Sequence, residues 1–449
     1  MSCSSAATPP GPRQSPTGSS EQSVDPLGYL SQLVGNYGNV ARFETRKNIF
    51  TLVNEPQSVR DILHNQNFVR TRILSPVIGD GLITSDGPHW RRQRQLMLPK
   101  FQPKSIAELV TIFVEVTNRR SDHWQQLEDS ERAVDLTHEF NQIALSNIGR
   151  ALFGVELGGG FLAAFDLVMQ QLGKMSNSNV FGSPFSWRPG DYQQFQNAMA
   201  DIEKAIQSVI DSDLCPVQSG NHLLGLLKGA SRGPDHCRLT RKQIRDEVIT
   251  MILAGHETTA TTLAWCWQAI LSDPEIEQRF YAEIERVLGT RTLVAADLPR
   301  LRYTRMIVDE ACRLYPPVWL IGRTAMLDQQ IAGYSIPAKS VVFVSPYLLH
   351  RDETHWKNPN LFKPDRFATM RPNESVYSYV PFLGGRHMCI GKHFALTEIV
   401  AVLATLAQRC RFKRLTQGPV KPEALLTLRL KNLWVKTHYR QREWHAQDI

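Results

Sequence analysis

Apolar residues along this chain fall first into short alternating runs and then into long helical stripes. Val40–Phe43 and Ile49–Val53 read as a hairpin around Arg46-Lys47-Asn48, and Glu55–His64 follows as a short helix. From about Pro88 to Ala230 the spacing is mostly helical, with breaks at Pro99, Gly154–Gly160 and Phe181–Gly190. The last break is rich in Gly, Pro and Ser and reads as a loop. The clearest helix opens at Thr240, where Thr240 and Gln243 have capping-box spacing, and runs to about Ser272, before Pro274. Those 33 or so residues span roughly 50 Å, about the width of a domain this size. The middle, Val248–Trp267, is apolar on nearly all sides, which predicts a helix crossing the core. His256, Glu257, Thr258 and Thr259 interrupt it, and polar groups there are costly without partners.

A second helix covers Tyr303–Tyr315 and ends at Pro316-Pro317. Strand-like segments follow at Gln330–Ile336 and Val341–Val344, with Gly333 and Pro337 as turn residues. Phe362–Phe367 reads as a loop, Gly391–Gln408 as a final helix, and Leu425–Leu430 with Asn432–Lys436 as a terminal hairpin. Helix outweighs strand several-fold, so the fold class is mainly α with small β-sheets (α+β). Residues 1–24, rich in Ser, Pro and Gly, are expected to be a disordered tail, and 25–449 one domain.

The chain has 449 residues, ample to enclose a cofactor, and a net charge of +8 carried by scattered basic residues. Without a Lys/Arg block, nucleic acid is not an expected partner. The N-terminus has no apolar core of a signal peptide, and no run is long and apolar enough for an integral membrane segment. Seven dispersed cysteines without a CxxC pair exclude a disulfide scaffold and a structural zinc site, and suit a reducing, cytoplasmic setting.

Cys389 stands apart from the other cysteines. Pro381-Phe-Leu-Gly-Gly-Arg-His-Met-Cys-Ile-Gly391 places it on a glycine-rich turn at a helix N-terminus, where backbone N–H groups and the helix dipole favour a thiolate. This segment resembles the haem-binding loop of the cytochrome P450 family, with His387 where many members have Arg. Three further motifs follow the family's order, and the resemblance spans about Asp25 to Lys436. They are Ala254-Gly-His-Glu-Thr-Thr259, Glu310-Ala-Cys-Arg313, and Trp356 to Phe367.

The resemblance implies the P450 fold, with the long central helix over haem b (iron protoporphyrin IX). Cys389 would be the axial ligand, pushing electron density onto the iron to favour O–O cleavage. Phe382 would shield the sulfur, and Gly391 would let the backbone approach the macrocycle, as would Gly385. His387, Arg323, Trp90 and Arg94 would meet the haem propionates, with His89 as an addition. Ala254 and Gly255 would open a groove for dioxygen beside Thr258, which bonds back one turn. Glu257 would relay protons and Thr258 would hold the hydrogen-bond network. Glu310, Arg313 and Arg366 would form a buried structural network.

The implied activity is monooxygenation: hydroxylation or epoxidation of an apolar small molecule of terpenoid, fatty-acid, steroid or polyketide type. Its pocket is expected from Val69–Ile83, Phe161–Asn197, the helix around Leu253 and Val318–Ile321. Electrons would come from a separate donor, a ferredoxin or flavodoxin with its reductase, steered by Arg91, Arg92, Arg386 and Lys392. Two alternatives are peroxide-driven or rearranging chemistry on the same fold, and a non-catalytic haem sensor. The intact Glu257–Thr258 pair ranks both lower.

Overall fold

The alternating runs near the N-terminus join strands from far along the chain. In the computed structural model a five-stranded sheet has the order Val40–Glu44, Ile49–Val53, Val341–Val344, Ile321–Ala325, Phe68–Arg70. Residues 7–12, 25–45, 48–126, 133–182, 185–212, 222–231, 238–369, 377–415, 418 and 420–440 are described. Ile49–Val53 pairs with Val341–Val344 in parallel, and the sheet's other pairings are antiparallel. Phe43, Phe50, Phe343, Phe181 and Trp319 pack as one aromatic cluster beside it.

Helices form the rest of the core. The central helix, Arg241–Ile270, is closed at its start by the expected capping box: Gln243 N–H donates to Thr240 Oγ1 at 3.2 Å and Thr240 N–H to Gln243 Oε1 at 2.8 Å. It packs chiefly along Leu136–Ile148. Gly255 permits that approach, because a Cβ there would lie 2.3 Å from Ile148 Cδ1. The terminal helix, Lys392–Arg409, carries an unbroken apolar stretch from Ile399 to Leu403 and packs against Val110–Gln126. No helix among the described residues is long and apolar enough to cross a membrane.

Several local expectations change. Part of the expected disordered tail is docked: Ser335 N–H donates to Ala7 O at 2.9 Å, and Arg42 N–H to Pro10 O at 2.7 Å. The remainder of residues 1–24, and Arg46 and Lys47 of the first turn, lie outside the described residues. Gln330–Ile336 is itself a tight hairpin, reversing at Ala332 and Gly333 with φ of 48° and 83°. Phe362–Phe367 ends in a one-turn helix, Arg366–Thr369.

The predicted terminal hairpin is corrected. Leu428–Arg429 pairs with Glu423–Ala424, while Trp434–Tyr439 pairs with Cys410–Arg414 and with Val134–Asp135. Adjacent apolar runs suggested adjacent strands, but each run found a better-matched partner elsewhere.

Candidate active site

The turn before the terminal helix presents one thiol. Cys389 N–H donates to Phe382 O at 2.9 Å, closing the loop. Gly385 sits at φ +65°, and a Cβ there would lie 2.3 Å from Leu63 O. Its positive φ and this fold-back onto the helix Pro56–His64 both call for a glycine. Gly391 caps the terminal helix and has only Cys389 Sγ, at 3.8 Å, near its would-be Cβ. Cys389 is accessible although protein surrounds it. Burial raises its thiol pKa; the Gly391 N–H, Arg94, Arg70 and Lys392 pull the other way. Phe382 is half-buried against the main core.

Beside the loop lies a cationic cluster. Trp90 is buried, with His387 edge-on at 4.5 Å and the guanidinium carbons of Arg94 and Arg70 at 5.6 and 5.9 Å from its ring centre. Arg70 faces Arg323 across the strand pair Phe68–Arg70 and Ile321–Ala325. Burial, then Arg323, Arg94 and Arg386, lowers Arg70 to about 9 against the pull of Asp86; burial and Arg386, offset by Asp86, lower Arg323 to about 10. Asp86 is the acidic group in contact: its Oδ2 accepts from Arg70 N–H at 2.8 Å and its Oδ1 lies 3.5 Å from Arg386.

His387 Nε2 lies 2.8 Å from Asp86 Oδ1. That approach does not complete a hydrogen bond, so Nε2 is buried without a hydrogen-bond partner, as the Trp90 indole is. Burial lowers its pKa to about 4, so it is neutral near pH 7. His89 Nε2 lies 3.2 Å from Asp80 O.

Four guanidiniums against one carboxylate leave positive charge uncompensated. The buried Trp90 indole N–H has no hydrogen-bond partner. Buried donors are normally satisfied, and buried charges are normally paired. The cluster therefore fits a bound dianion, as the two propionates of a haem would supply, with Cys389 as the thiolate beneath. Arg70 and Asp86 were not singled out in the sequence; a lone Arg ending a three-residue strand carries no local signal.

The central helix supplies the polar pair. Thr258 Oγ1 donates to Ala254 O at 2.6 Å, the expected bond one turn back. Glu257 Oε1 accepts from Thr427 Oγ1 at 2.6 Å, while its Oε2 is buried without a partner. Burial raises the Glu257 pKa; Thr427 and Arg429 oppose that rise and Asp166 adds to it. Gly255 meets Ile148 of the neighbouring helix. The structure also adds Thr427, from a segment whose sequence reads only as apolar strand.

The Glu-Arg helix, Arg302–Leu314, assembles the predicted charge network. Arg313 and Glu310 are wholly buried and doubly bonded, at 2.7 and 2.8 Å. Arg366 Nε donates to Glu310 Oε1 at 3.0 Å, and Lys363 N–H donates to the same oxygen at 2.7 Å. Arg313 also donates to the carbonyls of His350 and Pro359, both at 2.7 Å. His350, absent from the sequence reading, bridges onward: Val380 N–H donates to its Nε2 at 2.8 Å, and its Nδ1 lies 3.1 Å from Arg313 O. The charges are thus paired and their remaining donors satisfied, as buried ions require.

The family model for "Cytochrome P450" matches residues 9–435. The chain belongs to the cytochrome P450 family. It is a P450 monooxygenase, a class that carries haem on a cysteine thiolate, takes dioxygen and draws electrons from a redox partner. Cyclooctatin synthase of Streptomyces melanosporofaciens is 30% identical over 423 residues, covering 90% of this chain and 89% of its own. Cyclooctat-9-en-7-ol 5-monooxygenase of the same organism is 27% identical over 408 residues, covering 86% and 85%. A solved structure titled "Crystal structure of cytochrome P450DA heme domain" superposes with a TM-score of 0.85 at 22% identity. It covers 97% of this chain and 99% of that one, a likeness of fold.

Proposed function

We propose that this P450 binds haem b and hydroxylates or epoxidises a terpenoid-like, largely hydrocarbon molecule. The observation carrying the haem assignment is the partnerless Trp90 indole among Arg70, Arg94, Arg323 and Arg386, beside an accessible thiol at a helix N-terminus. Cys389 would hold the haem through its thiolate, and Trp90, Arg94, Arg323, His387 and Arg70 would hold the propionates. The terpenoid assignment rests on the names of the two Streptomyces relatives, one of which acts on cyclooctat-9-en-7-ol.

Haem supplies the dioxygen chemistry when bound. This chain's residues orient it, exclude water and move protons. Glu257, held by Thr427, carries protons; Thr258 keeps its hydroxyl at a defined place through Ala254 O. Gly391 and Phe382 shape the sulfur's surroundings, and Ala254 supplies the carbonyl that anchors Thr258. The Glu310–Arg313–Arg366 network holds the loop region rigid. Electrons come from a separate ferredoxin or flavodoxin with its reductase, in the cytoplasm.

The reduced, CO-bound absorption spectrum tests the ligand. Wild type is expected to give a thiolate-type Soret band and Cys389→Ser to lose it; an unchanged band in the variant overturns the assignment. A spectral screen with cyclic terpenes, fatty acids and steroids tests the substrate class. The expected result is an iron spin-state shift with the terpenes.

A further inference from the structure

Two adjacent buried acids near the start of the central helix, Asp246 and Glu247, both bind the backbone of one loop, residues 79–85. Asp80 N–H donates to Asp246 Oδ2 at 3.0 Å, and Leu82 N–H donates to Glu247 Oε2 at 3.1 Å. The loop lies close enough to call for glycine twice. A Cβ on Gly79 would run into the Asp246 carboxylate, and one on Gly81 would lie 2.1 Å from Thr250 Oγ1. The loop is also tied to itself, with Thr84 N–H and Ser85 N–H each donating to Gly81 O at 3.0 Å. Asp246 is paired with Lys242 at 2.6 Å and with Arg245 at 3.1 Å. Glu247 differs: its one hydrogen bond among the described residues goes to Leu82, and its Oε1 is buried without a partner. An acid costs free energy to bury, and here it secures a single backbone amide. Leu82 in turn meets the cationic cluster, because its carbonyl accepts from Arg70 Nη1, one of the guanidiniums beside Trp90.

We propose that Glu247 is a positioning residue for haem: it fixes Leu82, and the Leu82 carbonyl aims the Arg70 guanidinium at the propionates. The inference rests on the propionate reading of Arg70 above. Arg70 needs such a guide. Arg323, Arg94 and Arg386 repel it, and the hydrogen bond that Asp86 takes from Arg70 holds its main chain, leaving the side chain to be directed by other means. A neutral carbonyl oxygen orients a guanidinium without cancelling its charge. Burial, with Asp246 beside it, raises Glu247 to about 8 against the pull of the Leu82 N–H and Arg70. Glu247 is therefore largely neutral near pH 7. It works as a hydrogen-bond acceptor for the loop and leaves the positive charge of the cluster for the bound dianion.

The test is a double-mutant cycle read by haem transfer to an acceptor globin. Glu247→Leu removes the acceptor and is expected to speed haem release by about 10-fold, the scale of one hydrogen bond to a charged group. Glu247→Gln keeps an acceptor oxygen and is expected to release haem at the wild-type rate. In an Arg70→Met background Glu247→Leu is expected to add nothing. Gly81→Ala, which pushes the loop off the helix with Glu247 unchanged, is expected to act like Glu247→Leu, again only with Arg70 present; it carries the test should Glu247→Leu fail to fold. In the apoprotein, hydrogen exchange at the Leu82 amide is expected to quicken by about 10-fold or more in Glu247→Leu and to stay slow in Glu247→Gln. If Arg70→Met speeds release, three results each overturn the inference while the propionate reading stands. They are a Glu247→Leu effect of equal size with and without Arg70, an unchanged Leu82 amide, and release from Glu247→Gln as fast as from Glu247→Leu. If Arg70→Met leaves release unchanged, the underlying reading of Arg70 fails.

Discussion

Arg70 and Arg323 are direct partners across an antiparallel strand pair, both largely buried and both shifted down by burial. Like charges opposite each other destabilise a sheet. The pair is therefore a cost that the apoprotein carries and that a bound dianion removes.

Arg323→Met is accordingly expected to act in opposite directions on the two forms. The apoprotein should melt no lower than wild type, and the holoprotein should release haem faster. Differential scanning calorimetry of the apo form, with haem transfer to an acceptor globin, checks both signs. Unchanged haem release would remove Arg323 from the propionate site.

The charge network should show a graded response. Arg313→Ala leaves Glu310 ionised and buried, which costs about 3–5 kcal/mol. Arg366, at its more open edge, is expected to cost about 1 kcal/mol on substitution by Ala, the scale of a single hydrogen bond. Urea unfolding of the two variants ranks them, and equal losses would contradict the burial gradient.

Gly255 offers a test of packing. Gly255→Ala brings a methyl within 2.3 Å of Ile148 Cδ1, the movable end of a side chain, so the clash is partly offset by better helix propensity and stability should fall by no more than about 1 kcal/mol. Ile148→Val, which deletes that Cδ1, should recover part of the loss in the double variant. Strict additivity in the double-mutant cycle would place the clash elsewhere.

Glu398 makes stability depend on pH. It is fully buried in the terminal helix; burial raises its pKa to about 8, only partly offset by the Asn147 side-chain amide at 2.8 Å. The folded pKa lies above the unfolded one, so between them the folded state binds the extra proton. Stability from this group is then full below the unfolded pKa and falls as pH rises towards 8. Glu398→Gln should flatten that slope. Equal slopes in wild type and variant, measured by chemical denaturation from pH 5 to pH 8, would show that Glu398 is not the group responsible.

Much of this protein is written along its chain. The capping box of the central helix, the Thr258 bond to Ala254, the Glu310–Arg313 spacing and the Cys389 turn all depend on neighbours within four residues or on one glycine, so local chemistry determines them. The charge balance around Trp90 does not arise that way. Arg70 joins Arg323 only because two short strands align, and Glu257 meets Thr427 only because a hairpin returns to the central helix. The same reason explains the misread C-terminal strands: an apolar run specifies that a strand will be buried, while its partner is chosen by which edge the completed helices leave within reach.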